Sequence, residues 1–117
     1  SEYCDLDFDP SFLAPIDPSV VIFANATLLE FQGSQRHWYT KFPPTTSLAE
    51  PIPLVLSLHG ASACPQLSFA YDGWSALPTE DNPFVLVWPA GETDGVQFQC
   101  WNAGSCCCFS AENTRVE

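Results

Sequence analysis

Pro53-Leu54-Val55-Leu56-Ser57-Leu58-His59-Gly60 constrains this chain more than any other segment. It reads as a buried strand that ends abruptly at a His-Gly turn. A second apolar run, Phe84-Val85-Leu86-Val87-Trp88, follows it and stops at Pro89. Two short Val/Leu-rich runs separated by a helix-length segment predict a parallel β-α-β unit. A tight Gly turn at the end of such a strand is where α/β enzymes set backbone N–H groups against a substrate.

A length of 117 residues fits one small domain, able to bury roughly 65% of its unfolded surface. No apolar stretch approaches the ~20 residues of a membrane-spanning helix. The net charge of −11 sets 14 acids against three bases, Arg36, Lys41 and Arg115. Such a surface repels phosphate backbones and anionic membranes, so neither nucleic acid nor membrane is an expected partner. Six cysteines, Cys4, Cys64, Cys100, Cys106, Cys107 and Cys108, fit an oxidising compartment and a disulfide framework, with 15 full pairings open. Asn25-Ala26-Thr27 is an N-glycosylation sequon, in agreement with secretion. The chain has no initiator Met and no basic start leading into an apolar signal segment. A removed signal or a fragment boundary at the N-terminus is expected.

Residues 1–25 form an acidic, Pro-containing segment. Its Asp5, Asp7 and Asp9 alternate with apolar residues but lack the Gly turn and downstream Glu of a calcium loop. A solvated edge or tail is the expected reading. Ala26 to Phe31, a turn at Gln32-Gly33-Ser34-Gln35, and Arg36 to Phe42 read as an antiparallel hairpin. Leu67 to Leu77 reads as a short helix whose buried face carries Leu67, Ala70, Tyr71 and Trp74. Beyond Trp88 the chain reads as loop with a cysteine cluster.

Five elements stand in order: the hairpin with Arg36-His37-Trp38-Tyr39; the Pro53–Gly60 run; Gly73-Trp74-Ser75-Ala76-Leu77; Asn82-Pro83-Phe84-Val85-Leu86-Val87-Trp88-Pro89-Ala90-Gly91; and Cys100-Trp101-Asn102-Ala103-Gly104. In this order they resemble the N-terminal part of secreted α/β-hydrolase esterases of the polyhydroxybutyrate depolymerase and feruloyl esterase family. The resemblance covers residues 26–108. It implies an α/β chain in which an antiparallel hairpin leads into a parallel β-α-β unit. Residues 26–117 would then be the first portion of an α/β-hydrolase domain, ending before the nucleophile elbow.

The resemblance also implies a serine carboxylesterase, without cofactor or metal, acting on polymeric or polysaccharide-linked esters. In such an enzyme a serine is activated by a histidine that a carboxylate orients, and preorganised N–H groups hold the oxyanion. One donor typically comes from the loop after the first parallel strand. Here that loop is His59-Gly60-Ala61-Ser62. Ala61 would supply the backbone N–H, Gly60 the close approach, and His59 the shape of the turn. His59 is thus expected to be structural, and His37 to be a surface residue of the hairpin.

The nearest imitation of a G-x-S-x-G elbow, Gly73-Trp74-Ser75-Ala76-Leu77, lacks the second glycine and precedes the Phe84 strand. Ser75 is therefore not the expected nucleophile. The resemblance puts all three triad residues downstream of the Cys-Trp-Asn segment, so no catalytic residue is expected in this chain, which alone would be inactive. Relatives tend to carry two adjacent cysteines where this chain has Cys106-Cys107-Cys108. Neighbouring cysteines rarely bond each other, because the geometry strains the intervening peptide. Distant partners such as Cys64, Cys100 or Cys4 are expected instead. The cluster lacks the C-x-x-C spacing of a metal site. Trp101, and less so Trp88, could line a substrate cleft; core packing is the simpler reading for both. Two other readings remain open. One is a disulfide-stapled, non-catalytic secreted binding module. The other is a small cysteine-rich structural or inhibitor-like protein.

Overall fold

A computed structural model describes Cys4 and residues 26–44, 50–60, 63–93 and 99–101. Its elements in chain order are β1 (Thr27–Phe31), β2 (Ser34–Lys41), β3 (Leu54–Leu56), α1 (Pro65–Tyr71), a 3₁₀ turn at Trp74–Ala76, β4 (Val85–Pro89), β5 (Glu92–Thr93) and β6 (Gln99–Cys100). Four strands form one mixed sheet in the order β1-β2-β4-β3. β1 and β2 are an antiparallel hairpin, β2 and β4 are antiparallel, and β3 and β4 are parallel. β5 and β6 make a separate two-stranded ribbon.

The hairpin turn is tighter than the four-residue turn expected from the sequence. Phe31 is paired with Ser34, which leaves Gln32 and Gly33 as the loop. Both have positive φ, 51° and 79°. This is the backbone hand that lets two-residue turns follow the right-handed twist of the strands. Ser34 and Gln35 are consequently strand residues.

α1 starts at Pro65, whose fixed φ suits the first helical position, after an extended Cys64. It ends where the Asp72 N–H donates to the Ser68 carbonyl at 2.8 Å, and Gly73 at φ 77° turns the chain out. The single helix expected over Leu67 to Leu77 is therefore two pieces. The buried face differs too: Gln66 and Phe69 are inside, whereas Tyr71 is 72% exposed and Trp74 38%. The helix stops at Tyr71, so the spacing that would put Trp74 on its inner face is broken before Trp74 is reached.

The core is Tyr39, Phe69, Phe84, Leu86 and Trp88, with Ala26 and Val55 packed against it. Phe69 meets Tyr39 and Trp88 edge-on, at ring separations of 5.2 and 5.6 Å. Fully burying side chains of this size stabilises the fold by about 1.5–3 kcal/mol each. Strand alternation selects these residues: Leu86 and Trp88 point to the helix side, opposite Lys41 and Tyr39 of β2.

The expectation that Leu54 to Leu58 is a buried strand is corrected. Only Leu54–Leu56 is strand, and Leu54, Leu56 and Leu58 are 62%, 58% and 60% exposed. β3 is the edge of the sheet among the described residues. Val55 and Ser57 take the helix side, and the three leucines take the other.

Cys4 and Cys64 form a disulfide with Cα atoms 5.7 Å apart, joining the N-terminal segment to the start of α1 across 60 residues of sequence. That pairing removes both as partners for the 106–108 cluster. Cys100 is also disulfide-bonded. Cys106, Cys107, Cys108 and the Asn25 sequon lie outside the described residues.

Candidate functional site

β3 and β4 run parallel, so their carboxyl ends, His59-Gly60 and Ala90-Gly91, lie at the same side of the sheet. His59 joins them. It is 3% exposed, and its Nε2 accepts the Gly91 backbone N–H at 3.0 Å. A nitrogen that accepts carries no proton, so the ring proton sits on Nδ1 and donates to the Gly60 carbonyl at 2.8 Å. Burial lowers the His59 pKa from the ordinary 6.5, opposed by the Gly60 hydrogen bond. The imidazole is thus neutral with both nitrogens engaged. Its one lone pair, on Nε2, is taken by the Gly91 N–H, so none is free to take a proton from a hydroxyl, and it acts as a brace.

Trp101 covers this brace. Its indole N–H donates to the His59 carbonyl at 2.8 Å, and the two rings lie 4.9 Å apart, tilted by 31°. Beyond His59, the Ala63 N–H donates to the Gly60 carbonyl at 3.2 Å, and Ala63 forms an antiparallel bridge to Gln99. These bonds tie Ala63 to Gly60 and to Gln99. Ala61, the expected oxyanion donor, and Ser62 lie outside the described residues. Gly60 is exposed, and a Cβ added to it would meet nothing within 4 Å. Gly91 contrasts with it, since a Cβ there would collide with the Cys100 backbone carbonyl.

Ser75 is buried at 2% exposure inside the 3₁₀ turn, and its carbonyl accepts the Lys41 ammonium. A nucleophile elbow exposes its serine hydroxyl at a strand-to-helix turn; Ser75 has neither the exposure nor the strand. Trp88 is fully buried, which makes it core and not cleft.

His37 is not the surface residue expected of it. It is half-buried in β2, its Nε2 is buried, and no hydrogen-bond partner reaches that atom. Burial, then the nearby Arg36 and His59, lower its pKa from 6.5. The surface reading failed because β4 extends past Trp88: the Ala90 N–H reaches the His37 carbonyl at 3.0 Å and brings the β5–β6 ribbon to this end of β2.

Two polar features were missed by reading the sequence. The Asp72 carboxylate gathers three donors: Ser57 Oγ at 2.8 Å and Trp88 Nε1 at 2.7 Å on Oδ2, and the Trp74 backbone N–H at 2.9 Å on Oδ1. The Gln66 amide donates to the Tyr39 hydroxyl at 2.8 Å inside the core, where burial pushes the Tyr39 pKa up to about 12. An Asp-Gly pair directly after a helical run was the available signal for the first. A lone Gln on an otherwise apolar helix face was the signal for the second.

No family model, no curated protein and no solved structure matches this chain.

Proposed function

We propose that this chain is part of a secreted carboxylic ester hydrolase, a serine esterase of the polyhydroxybutyrate depolymerase or feruloyl and acetyl esterase kind, and that residues 59–62 are its oxyanion loop. The observation that carries this reading is the buried, neutral His59, which pins the loop after β3 to the end of β4. Ligands of α/β sheets bind outside the carboxyl ends of parallel strands, and the braced loop lies at that position. A braced loop also suits an oxyanion donor, whose value depends on being held in place before the reaction.

In this reading the chain supplies oxyanion stabilisation, with the Ala61 N–H donating to the developing negative oxygen. The serine, its base and the orienting carboxylate are contributed by other residues of the enzyme. His59 is not the base, because Nε2 is occupied by Gly91 N–H and Nδ1–H by the Gly60 carbonyl.

The test is hydrolysis of a short p-nitrophenyl ester by the native protein from its source, with its intact mass measured after glycan removal. Hydrolysis by a protein heavier than the 12.9 kDa of these 117 residues supports the proposal. Ala61→Pro should then lower kcat by about 10²–10³-fold, the effect of losing one oxyanion donor. A native protein of 12.9 kDa with no esterase activity would instead favour the non-catalytic, disulfide-stapled binding module. The Cys4–Cys64 closure of the described fold lends that second reading its support.

A further inference from the structure

β4 lies inside the sheet and is apolar at every position, Val85-Leu86-Val87-Trp88-Pro89. A strand of that kind is ordinarily covered on both faces. Leu86 and Trp88, on the α1 side, are buried; Val85 and Val87, on the opposite side, stay partly exposed. The register carries this second face across the sheet. Val85 and Val87 stand beside Leu54 and Leu56 of β3. Val87 also stands opposite Thr40 of β2, whose side is shared by Trp38 and, through the hairpin, by Leu29 and Phe31 of β1. Leu29 and Phe31 are 51% and 55% exposed, close to the values of the β3 leucines. A contiguous apolar surface of this extent marks an interaction site.

Charge and area bear on what covers it. Arg36 is the charged residue of this face among the described strands, and it is engaged at the ribbon end by Glu92 at 3.7 Å and the Ala90 carbonyl at 3.4 Å. From Pro51 to Tyr71 the sequence has no Asp, Glu, Lys or Arg, so β3 lacks the charges that usually keep an edge strand apart from other chains. Two copies of net charge −11 repel each other wherever their acids meet. A face without acids is where they can touch. Covering its apolar side chains would bury roughly 600 Å² on each copy, which clears the ~1,000 Å² total of a specific interface.

We propose that the sheet face turned away from α1 docks on the same face of a second copy, giving an isologous dimer of two stacked four-stranded sheets. Each copy supplies what the other lacks, a neutral apolar layer of matching size. The inference goes beyond ester hydrolysis and is independent of it, because association is read with no ester present.

The test is sedimentation velocity of the full chain, disulfides intact, from micromolar to millimolar concentration. The mass should rise from 12.9 kDa to twice that value and stop there. Leu56→Glu should weaken association about tenfold or more, since it sets a charge in place of an interface leucine. Tyr71→Glu, exposed on α1 across the sheet, should leave association unchanged. In the unmodified protein, dilution should move the methyl resonances of Leu29, Leu54 and Leu56 and leave those of the core Leu86 in place, a readout that needs no variant to fold. A mass of 12.9 kDa at every concentration overturns the proposal and means that the face is covered within one chain or by a different molecule. Growth past the dimer, or dimers whose face methyls do not respond to dilution, overturns it as well.

Discussion

The Asp72 carboxylate accepts the Trp88 indole N–H at 2.7 Å, joining the end of α1 to the largest buried side chain of β4. The same oxygen takes the Ser57 hydroxyl at 2.8 Å. One side chain therefore ties helix, central strand and the residue just past β3. The hydrophobic contact of Phe69 with Trp88 holds the layers together; the Asp72 bonds fix their register.

Asp72→Ala should destabilise the chain by about 2–3 kcal/mol, because it strands the buried Trp88 N–H and removes charge-assisted bonds. Ser57→Ala should cost about 1 kcal/mol, since its partner keeps other donors. Urea unfolding of both variants checks this ranking, and an Asp72→Ala variant no weaker than Ser57→Ala would contradict it.

Acid should weaken the fold through its histidines. Burial lowers the pKa of both His59 and His37 below the ordinary 6.5. In the unfolded chain they take up protons as the pH falls through 6.5, while the folded state resists until its lower pKa is reached. Their contribution is fully present above pH 6.5 and is lost as pH drops below 6.5 toward the folded values. Melting curves at about pH 7.5 and about pH 5.5 should show a lower midpoint in acid. His59→Gln should be less stable at neutral pH and should flatten the dependence.

Gly91→Ala should be damaging although the residue is small. The added Cβ meets backbone, the Cys100 carbonyl, and backbone cannot rotate away. The ribbon must shift from β4, at about 1–3 kcal/mol, and the His59 brace shifts with it. Gly60→Ala, in open space, is the matched control and should leave the melting temperature unchanged. Equal effects of the two substitutions would refute the distinction.

The Cys4–Cys64 disulfide closes a long loop, for which the chain-entropy account gives about 4 kcal/mol. Cys4→Ser with Cys64→Ser should lower the unfolding free energy by about 2–4 kcal/mol. Amide exchange should quicken first in α1, whose start is anchored by Cys64. Uniform exchange rates across sheet and helix would show that the clip acts on the whole fold.

Much of the sheet was legible because strand-forming residues announce themselves locally. Thr27 to Phe31, Arg36 to Lys41 and Val85 to Pro89 are runs of β-branched, aromatic and alternating residues, whereas Ser34 and Gln35, read as turn, joined the strand only in the fold. The helix was half legible. Its start was placed at Leu67, two residues late, because Pro65 went unread as a first helical residue; the Asp72-Gly73 stop also went unread, and the inner face was therefore drawn one turn too far. The site was least legible. His59 was recognisable as a turn residue, whereas the surroundings of Asp72, Gln99 and His37 depend on neighbours 15 to 62 positions away in sequence: Ser57 for Asp72, and Gln99 for the cleft it lines with His37.

Sequence alone determined the β1–β2 hairpin, a strand over Leu54–Leu56 and another at Val85–Pro89, and the net negative charge. Each follows from the conformational preference or charge of residues adjacent in the chain. Only the tertiary structure decided that β4 lies between β2 and β3. It alone turned Val55 inward and Leu54 and Leu56 outward, and it alone brought His37 and Gln99 to one cleft. A two-residue period says that the faces of a strand differ, but which face is buried is decided by the element packed against it, here α1 through Phe69.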